Sequence, residues 1–165
     1  ACDLNYRARL WTEDEANKVM EPLMEYVDIL ISTEEDTAKV LKITADSYQE
    51  VARKLAERFS FEAVCITIRT DLSVLRNQWT AIVYADGTLY EDKTYDVEII
   101  DRVGAGDSFS SGFLYGYITG DADKGLKYGN AYAALEHSIP GDINWCTLQE
   151  LENVVKGAAG TRISR

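Results

Sequence analysis

The fold of this chain is decided by the stretch Asp101-Arg102-Val103-Gly104-Ala105-Gly106-Asp107-Ser108-Phe109. The β-branched segment at residues 95–100 precedes it and predicts a strand that runs into a tight glycine turn. Glycines in such a turn permit positive φ angles and a close approach of the backbone to a ligand. The helix that follows offers unpaired N–H groups and the positive end of its dipole, which together bind phosphate. The stretch therefore predicts a strand, a phosphate-binding turn and a helix.

Asp107 lies in the first turn of that helix and has two interpretations. In the functional one, amides at Gly104, Ala105 and Gly106 hold a transferred phosphoryl group, and the Asp107 carboxylate takes the proton of the attacking hydroxyl. In the other, the segment is an ordinary glycine turn, and Asp107 is an acidic residue favoured by the helix dipole. The residues alone leave both interpretations open.

Other glycine-loop chemistries fit less well. A Walker A loop ends in Gly-Lys-Ser/Thr, which is absent, and a dinucleotide fingerprint requires a third glycine where Phe109 stands. A serine hydrolase with Ser108 as nucleophile requires a histidine base. The single histidine, His137, is expected to lie near a helix end as a capping residue.

Composition excludes several classes of partner. The chain has 165 residues and a formal net charge of −11, which argues against nucleic acid, because nucleic-acid binding relies on basic side chains. No apolar run approaches the ~20 residues of a membrane span, so no membrane partner is expected. Cys2, Cys65 and Cys146 are odd in number and far apart, which indicates a reducing cytoplasm and no disulfide framework.

Strand and helix patterns alternate along the chain, which predicts a single α/β domain over residues 1–165. Capping-box signals begin at Thr12, Ser32 and Thr147. After Thr12, the helical spacing of Val19, Leu23 and Tyr26 predicts a buried face. Further elements are predicted as an amphipathic helix at 46–59, a hairpin around the Asp86-Gly87 turn, a helix at 107–118 with a thin glycine edge at Gly112 and Gly116, and a helix at 123–138 capped by Asp123.

The amino-terminal segment carries three alternating polar residues, Asp3, Asn5 and Arg7. On an extended chain they point to one side, and a predicted strand at residues 1–5 would place them at the carboxyl end of a strand, where open α/β sheets bind ligands. The planar fork of Arg7 could then bind a carboxylate. The alternative for Arg7 is a surface salt bridge.

Taken together, these segments resemble the ribokinase-like (PfkB-type) carbohydrate kinases. The general signature is Asp101-x-x-Gly104-Ala105-Gly106-Asp107-Ser108-Phe109. Within the family, two narrower segments resemble the members that act on 2-keto-3-deoxygluconate: residues 3–7 followed by Leu10-Trp11, and residues 137–144. The resemblance covers the whole chain but matches only the C-terminal half of such a kinase, so the N-terminal half and its β-lid are expected to be missing.

The resemblance implies a ribokinase-like three-layer αβα sandwich, represented by its C-terminal portion. It implies ATP-dependent phosphorylation of a sugar-acid hydroxyl, 2-keto-3-deoxygluconate to its 6-phosphate, with ATP, Mg²⁺ and potassium as cofactors. Two alternatives remain: a fructokinase-like ketose kinase of the same family, and a non-catalytic nucleotide-binding fragment. The partners implied are a sugar acid, ATP, and the missing half or a second copy of the chain.

The resemblance also implies roles for individual residues. Asp107 is the catalytic base, and Gly104, Ala105 and Gly106 form the anion hole. Arg7 and Asn5 bind the substrate. Two departures from the family pattern are Ser32 in place of an asparagine and Arg69 in place of a glycine. The remaining roles are ATP binding by Thr67, Arg69, Asn130 and Gly106, monovalent-cation binding by Asp101 with the 140–144 loop, and Mg²⁺ binding through water by Glu35.

Overall fold

The computed structural model describes residues 1–157, which divide into two compact units. The first unit contains residues 1–68 and 81–91, and the second contains residues 69–80 and 92–157. The two long strands, β3 (Ala63–Ser73) and β4 (Arg76–Ala85), contribute residues to both units. A single domain over the whole chain stays a prediction.

The first unit has the strand order β1-β2-β3-β4-β5. Its parallel neighbours are β1 with β2 and β2 with β3, whereas β4 and β5 are antiparallel, so the sheet is mixed. The predicted hairpin turn is confirmed, because Asp86 and Gly87 both have positive φ, at 49° and 74°. The other elements of this unit are β1 (Cys2–Asp3), α1 (Glu13–Leu23), β2 (Ile29–Ser32), α2 (Glu34–Asp36) with a π-helical turn at Thr37–Leu41, α3 (Tyr48–Phe59) and β5 (Thr88–Glu91).

Helix α1 buries a different face from the predicted one. Its capping box at Thr12 is present as expected. However, Val19 and Leu23 are about half exposed and Tyr26 is 80% exposed. The stripe that packs into the core instead follows Ala16, Met20 and Met24, because α1 carries apolar residues at helical spacing on more than one side.

The extended interpretation of the first seven residues is wrong. Strand β1 ends at Asp3, and Asn5 has a φ of 40°, a left-handed conformation that asparagine tolerates better than most residues. The side chains of Asp3, Asn5 and Arg7 therefore do not alternate along one extended strand. After the turn at Asn5, the buried Tyr6 donates a hydrogen bond from its hydroxyl to the Trp11 carbonyl at 3.1 Å.

Two further helix caps differ from the sequence interpretation. Thr33, and not Ser32, is the N-cap of α2 and accepts a hydrogen bond from the Asp36 amide. In the second unit, the cap of α5 (Ala122–Glu136) is Asp121 and not Asp123. Thr33 and Asp121 have the extended backbone torsions of an N-cap. Ser32, by contrast, lies within strand β2, and Asp123 lies within helix α5.

The second unit joins β6 (Tyr95–Glu98) antiparallel to the first half of β4, and adds the helices α4 (Ala105–Ile118), α5 and α6 (Leu148–Val155). Gly112 and Gly116 allow α4 and α5 to pack closely, as the sequence predicts. A Cβ at Gly112 would lie 2.8 Å from the Tyr128 carbonyl oxygen, and one at Gly116 would lie 2.7 Å from the Gly125 Cα. Within residues 1–157, no helix has both the length and the apolarity needed to span a membrane.

Candidate active site

The turn before α4 has the backbone geometry that a phosphate loop requires. Gly104 is the N-cap of α4 and has a φ of 83°, a left-handed conformation that glycine adopts without strain. A Cβ at Gly104 would lie 2.7 Å from Glu136 Oε1 and 3.1 Å from the Asp142 Cα, so there is no room for a side chain. At Gly106, by contrast, a Cβ would have nothing within 4 Å and would face open space. At Gly104 and Gly106 the loop therefore presents backbone and no side chain.

Asp107 is the third residue of α4 and is exposed. Ala105 is buried, and the Ser108 amide closes the first helical hydrogen bond to the Gly104 carbonyl at 2.8 Å. The amides of the residues between them are the unpaired donors of a helix start. The arrangement places an exposed carboxylate in the same helical turn as these backbone N–H donors, which suits proton removal beside a bound phosphoryl group.

The Asp101 carboxylate accepts hydrogen bonds from backbone amides at the start of this loop. Its Oδ1 accepts hydrogen bonds from the amides of Arg102 at 2.7 Å and Val103 at 3.1 Å, and its Oδ2 accepts one from the Gly141 amide at 3.0 Å. Hydrogen bonds from Val103, Gly141 and Arg102 lower the pKa of the Asp101 carboxyl. The second unit therefore brings the predicted cation-site residue Asp101 together with the 140–144 loop.

Glu136, at the end of α5, was missed by sequence reasoning. Its side chain is completely buried, and neither carboxyl oxygen has a hydrogen-bond partner among the described residues. Burial raises the pKa of the Glu136 carboxyl; the nearby Ser108 hydroxyl opposes this shift, and the negative charges of Asp142 and Asp101 reinforce it. The available signal was a single acidic residue that follows an uncharged helical segment, residues 129–135.

The serine-hydrolase interpretation gains no support. Ser108 is buried and accepts a hydrogen bond from Asn144 Nδ2 at 3.3 Å. His137 is buried, its Nδ1 lies 2.7 Å from the Ala133 carbonyl oxygen, and its ring packs against Trp79. His137 is the C-cap of α5, as the sequence predicts. Burial lowers its pKa, so its neutral form is favoured. Within residues 1–157, Ser108 and His137 make no hydrogen bond to each other.

Two predicted ATP ligands also lie in the second unit. Asn130 is completely buried; its Nδ2 donates to Asp92 Oδ2 at 3.2 Å, while its Oδ1 has no partner among the described residues. The Arg69 side chain is half exposed, and its Nε lies 3.6 Å from Asp71 Oδ1. Asn130 therefore has one buried acceptor without a described partner, and Arg69 has a half-exposed guanidinium beside Asp71.

The first unit carries the other predicted site residues. Arg7 Nη1 donates to the Tyr6 carbonyl at 3.1 Å, and Arg7 makes no ion pair within residues 1–157. Glu35 is exposed and pairs with Lys39, and hydrogen bonding by Lys39 lowers the Glu35 pKa. Thr67 Oγ1 lies 3.4 Å from the Ser32 carbonyl oxygen. Asn5 occupies the left-handed turn described above.

Comparisons with known proteins identify the family of this chain. The family model for the pfkB family of carbohydrate kinases matches residues 1–149. The chain is 35% identical over 158 residues to the 2-dehydro-3-deoxygalactonokinase of Haloferax volcanii, covering 95% of this chain and 47% of that protein. It is 30% identical over 135 residues to the 5-dehydro-2-deoxygluconokinase of Bacillus licheniformis, covering 81% of this chain and 39% of that protein.

A solved structure supports the fold as well. The crystal structure of the 2-dehydro-3-deoxygluconokinase of Thermotoga maritima matches with a TM-score of 0.92 and 42% identity, covering 94% of this chain and 49% of that one. This similarity confirms the predicted ribokinase-like fold, a mixed sheet with helices. The chain spans about half the length of the relatives it matches, or less.

Proposed function

Because this chain belongs to the pfkB family of carbohydrate kinases, we propose that the protein carrying it transfers a phosphoryl group from ATP to a hydroxyl of a 2-keto-3-deoxy sugar acid. The observation that carries the proposal is the position of Asp107, exposed in the first turn of α4 beside the backbone donors that follow Gly104. Phosphoryl transfer depends mainly on positioning and charge stabilisation, and a loop of this kind supplies both.

The preferred substrate is 2-keto-3-deoxygluconate, which would become its 6-phosphate. The similarity to the Thermotoga maritima enzyme, at 42% identity, supports this choice over the galactonate-derived sugar of the Haloferax volcanii enzyme, at 35%. Arg7 binds the substrate carboxylate and Asn5 hydrogen-bonds the sugar. The Arg7 guanidinium, which donates to the Tyr6 carbonyl but makes no ion pair within residues 1–157, supports that role.

In the reaction, Asp107 takes the proton of the attacking hydroxyl as the new oxygen–phosphorus bond forms and ADP leaves. The amides of Gly104, Ala105 and Gly106 hold the oxygens of the transferred group, where negative charge accumulates. Asn130 offers its unpartnered Oδ1 to a donor of the nucleobase, and Arg69 and Thr67 bind the rest of the nucleotide.

Two cations fit the residues present. Among residues 1–157, no group of three His, Cys, Asp or Glu side chains is arranged to hold a metal ion. Mg²⁺ usually binds through substrate phosphates, water and one or two carboxylates, and the exposed Glu35 is such a carboxylate. The buried, unpartnered oxygens of Glu136 beside Asp101 suit a monovalent cation such as potassium. When bound, these ions neutralise charge on the phosphates and the loop.

The test compares two acidic residues that each lie in the first turn of a long helix, Asp107 in α4 and Asp123 in α5. In a complete enzyme carrying this chain, Asp107→Asn should lower kcat for 2-keto-3-deoxygluconate by at least about 100-fold, because general-base catalysis contributes roughly 10²–10⁴-fold. Asp123→Asn removes an equivalent helix-dipole interaction and should leave kcat within about twofold. A kcat for Asp107→Asn within about tenfold of wild type would show that Asp107 is not the base.

A further inference from the structure

The segment before the phosphate loop is held from two sides within the second unit. The Ile99 amide donates to the Leu75 carbonyl at 2.9 Å, in the turn between β3 and β4. The Ile100 amide donates to the His137 carbonyl at 2.8 Å, after α5. Asp101 is fixed on the α5 side through the Gly141 amide, as described above. The remaining attachment to the turn is made by a side chain, that of Arg102.

The Arg102 guanidinium makes two contacts with the β3–β4 hairpin. Its Nη1 donates to Asp71 Oδ1 at 3.0 Å, and its Nη2 donates to the Val74 carbonyl at 3.2 Å. A planar guanidinium can make both bonds at once in a fixed geometry. Arg102 is only two residues before Gly104, so these bonds act on the chain immediately before the anion hole.

The Asp71 carboxylate contacts several polar groups on the β3–β4 hairpin. Besides Arg102, its Oδ1 lies 3.6 Å from Arg69 Nε. Asn77 is completely buried, and with its amide nitrogen turned towards Asp71 it donates to the same oxygen at 2.8 Å. The Asp71 carboxylate therefore has a fixed position on the hairpin, set by a buried amide, and can hold the two arginines in place.

We propose that Arg102 and Asp71 are positioning residues: their ion pair, together with the bond from Arg102 to the Val74 carbonyl, fixes the phosphate loop against the β3–β4 turn. We call this set of contacts the hairpin latch. The proposal deepens the proposed function and rests on it for its kinetic consequences. Neither residue touches the reacting atoms; both act through the amides of Gly104 to Gly106, whose placement matters because displacements near 1 Å at a reacting centre cost up to about 100-fold in rate.

The first experiment requires no catalytic activity. Hydrogen–deuterium exchange is followed for the peptide that covers residues 99–107 in wild type, Arg102→Ala and Arg53→Ala, in the complete protein. Arg53 forms a comparable exposed ion pair with Glu57 on α3 and is the matched control. Exchange in the peptide should accelerate at least about tenfold in Arg102→Ala and stay unchanged in Arg53→Ala. Unchanged exchange in Arg102→Ala would overturn the latch, whatever reaction the protein catalyses.

The second experiment is a double-mutant cycle on kcat. Arg102→Ala and Asp71→Ala should each lower kcat about tenfold and leave the KM for the sugar acid within about twofold, because the loop amides act mainly on the transferred group. The double variant should lose less than the product of the two single losses, since both single variants remove the Arg102–Asp71 pair. Independent, multiplying losses would refute the latch. The melting temperature of Arg102→Ala should change by about 3 °C or less, because exposed ion pairs contribute little to stability.

The two experiments separate the latch from the proposed function. If wild type fails to phosphorylate any sugar acid but exchange accelerates in Arg102→Ala, the proposed function is wrong and the latch stands. If wild type is an active kinase and both variants retain full kcat with unchanged exchange, the proposed function stands and the latch is wrong.

Discussion

Replacing Gly104 by alanine measures how tightly the phosphate loop is packed. Two costs are expected. The first is backbone strain, because Gly104 has a φ of 83°, and a left-handed conformation costs a residue with a Cβ roughly 1–2 kcal/mol. The second is steric, because the new Cβ would lie 2.7 Å from Glu136 Oε1 and 3.1 Å from the Asp142 Cα. Overpacking of this kind typically costs about 1–3 kcal/mol, so the total loss should be about 2–5 kcal/mol.

Two other glycines separate these costs. Gly141 has a φ of 95° but nothing within 4 Å of an added Cβ, so Gly141→Ala should lose only the strain, roughly 1–2 kcal/mol. Gly106 has neither a positive φ nor a neighbour within 4 Å, so Gly106→Ala should be neutral or stabilised by up to about 1 kcal/mol.

The assay is urea unfolding of the three variants and wild type, followed by circular dichroism, with each free energy of unfolding taken from the same linear extrapolation. From the most to the least stable, the expected order of the variants is Gly106→Ala, Gly141→Ala and Gly104→Ala. If Gly104→Ala loses no more than Gly141→Ala, the contact of Gly104 with Glu136 and Asp142 is not rigid. If Gly106→Ala loses as much as Gly104→Ala, the packing described for this loop is wrong.

Two further predictions concern Arg7 and Glu136. Arg7→Ala should lower kcat/KM for sugar acids about 10–100-fold, as expected for loss of a hydrogen-bonded charge, and change that for neutral ketoses less than about threefold; equal losses would remove Arg7 from carboxylate binding. Burial raises the Glu136 pKa above its ordinary 4.5, so the stabilising contribution of its protonated form is complete below pH 4.5 and is lost as pH rises through the folded-state value. The stability of wild type relative to Glu136→Gln should therefore fall as the pH rises above 4.5 in buffer free of potassium and sodium, and a pH-independent difference would contradict this.

The sequence predicted the local parts of the candidate site well and its long-range contacts poorly. The glycine turn at Gly104 and the helix after it follow from residues next to one another in the chain. Glu136, which fills the space beside Gly104, is 32 positions away along the sequence. Asp71, the partner of Arg102, is 31 positions away. Neither residue belongs to a recognisable motif, so only folding reveals that they meet the loop.

Periodicity alone also misassigned one helix face. Val19, Leu23 and Tyr26 have the spacing of a buried stripe, yet the core of the first unit selects the stripe that contains Ala16 and Met24. Hydrophobic spacing indicates that a helix has an apolar side. When apolar residues occur on two sides, the side that is buried is the one that the neighbouring elements cover.

By itself, the sequence determined the features whose energetics lie within a few residues: the capping boxes at Thr12 and Thr147, the Asp86-Gly87 hairpin turn, and the glycine edge of α4. Only the tertiary structure decided what holds the phosphate loop in place. Caps and turns form from neighbouring backbone and side-chain groups, so the residue types at those positions predict them. The partners of Asp101, Arg102 and Gly104 come from distant segments, and packing of the second unit brings them together.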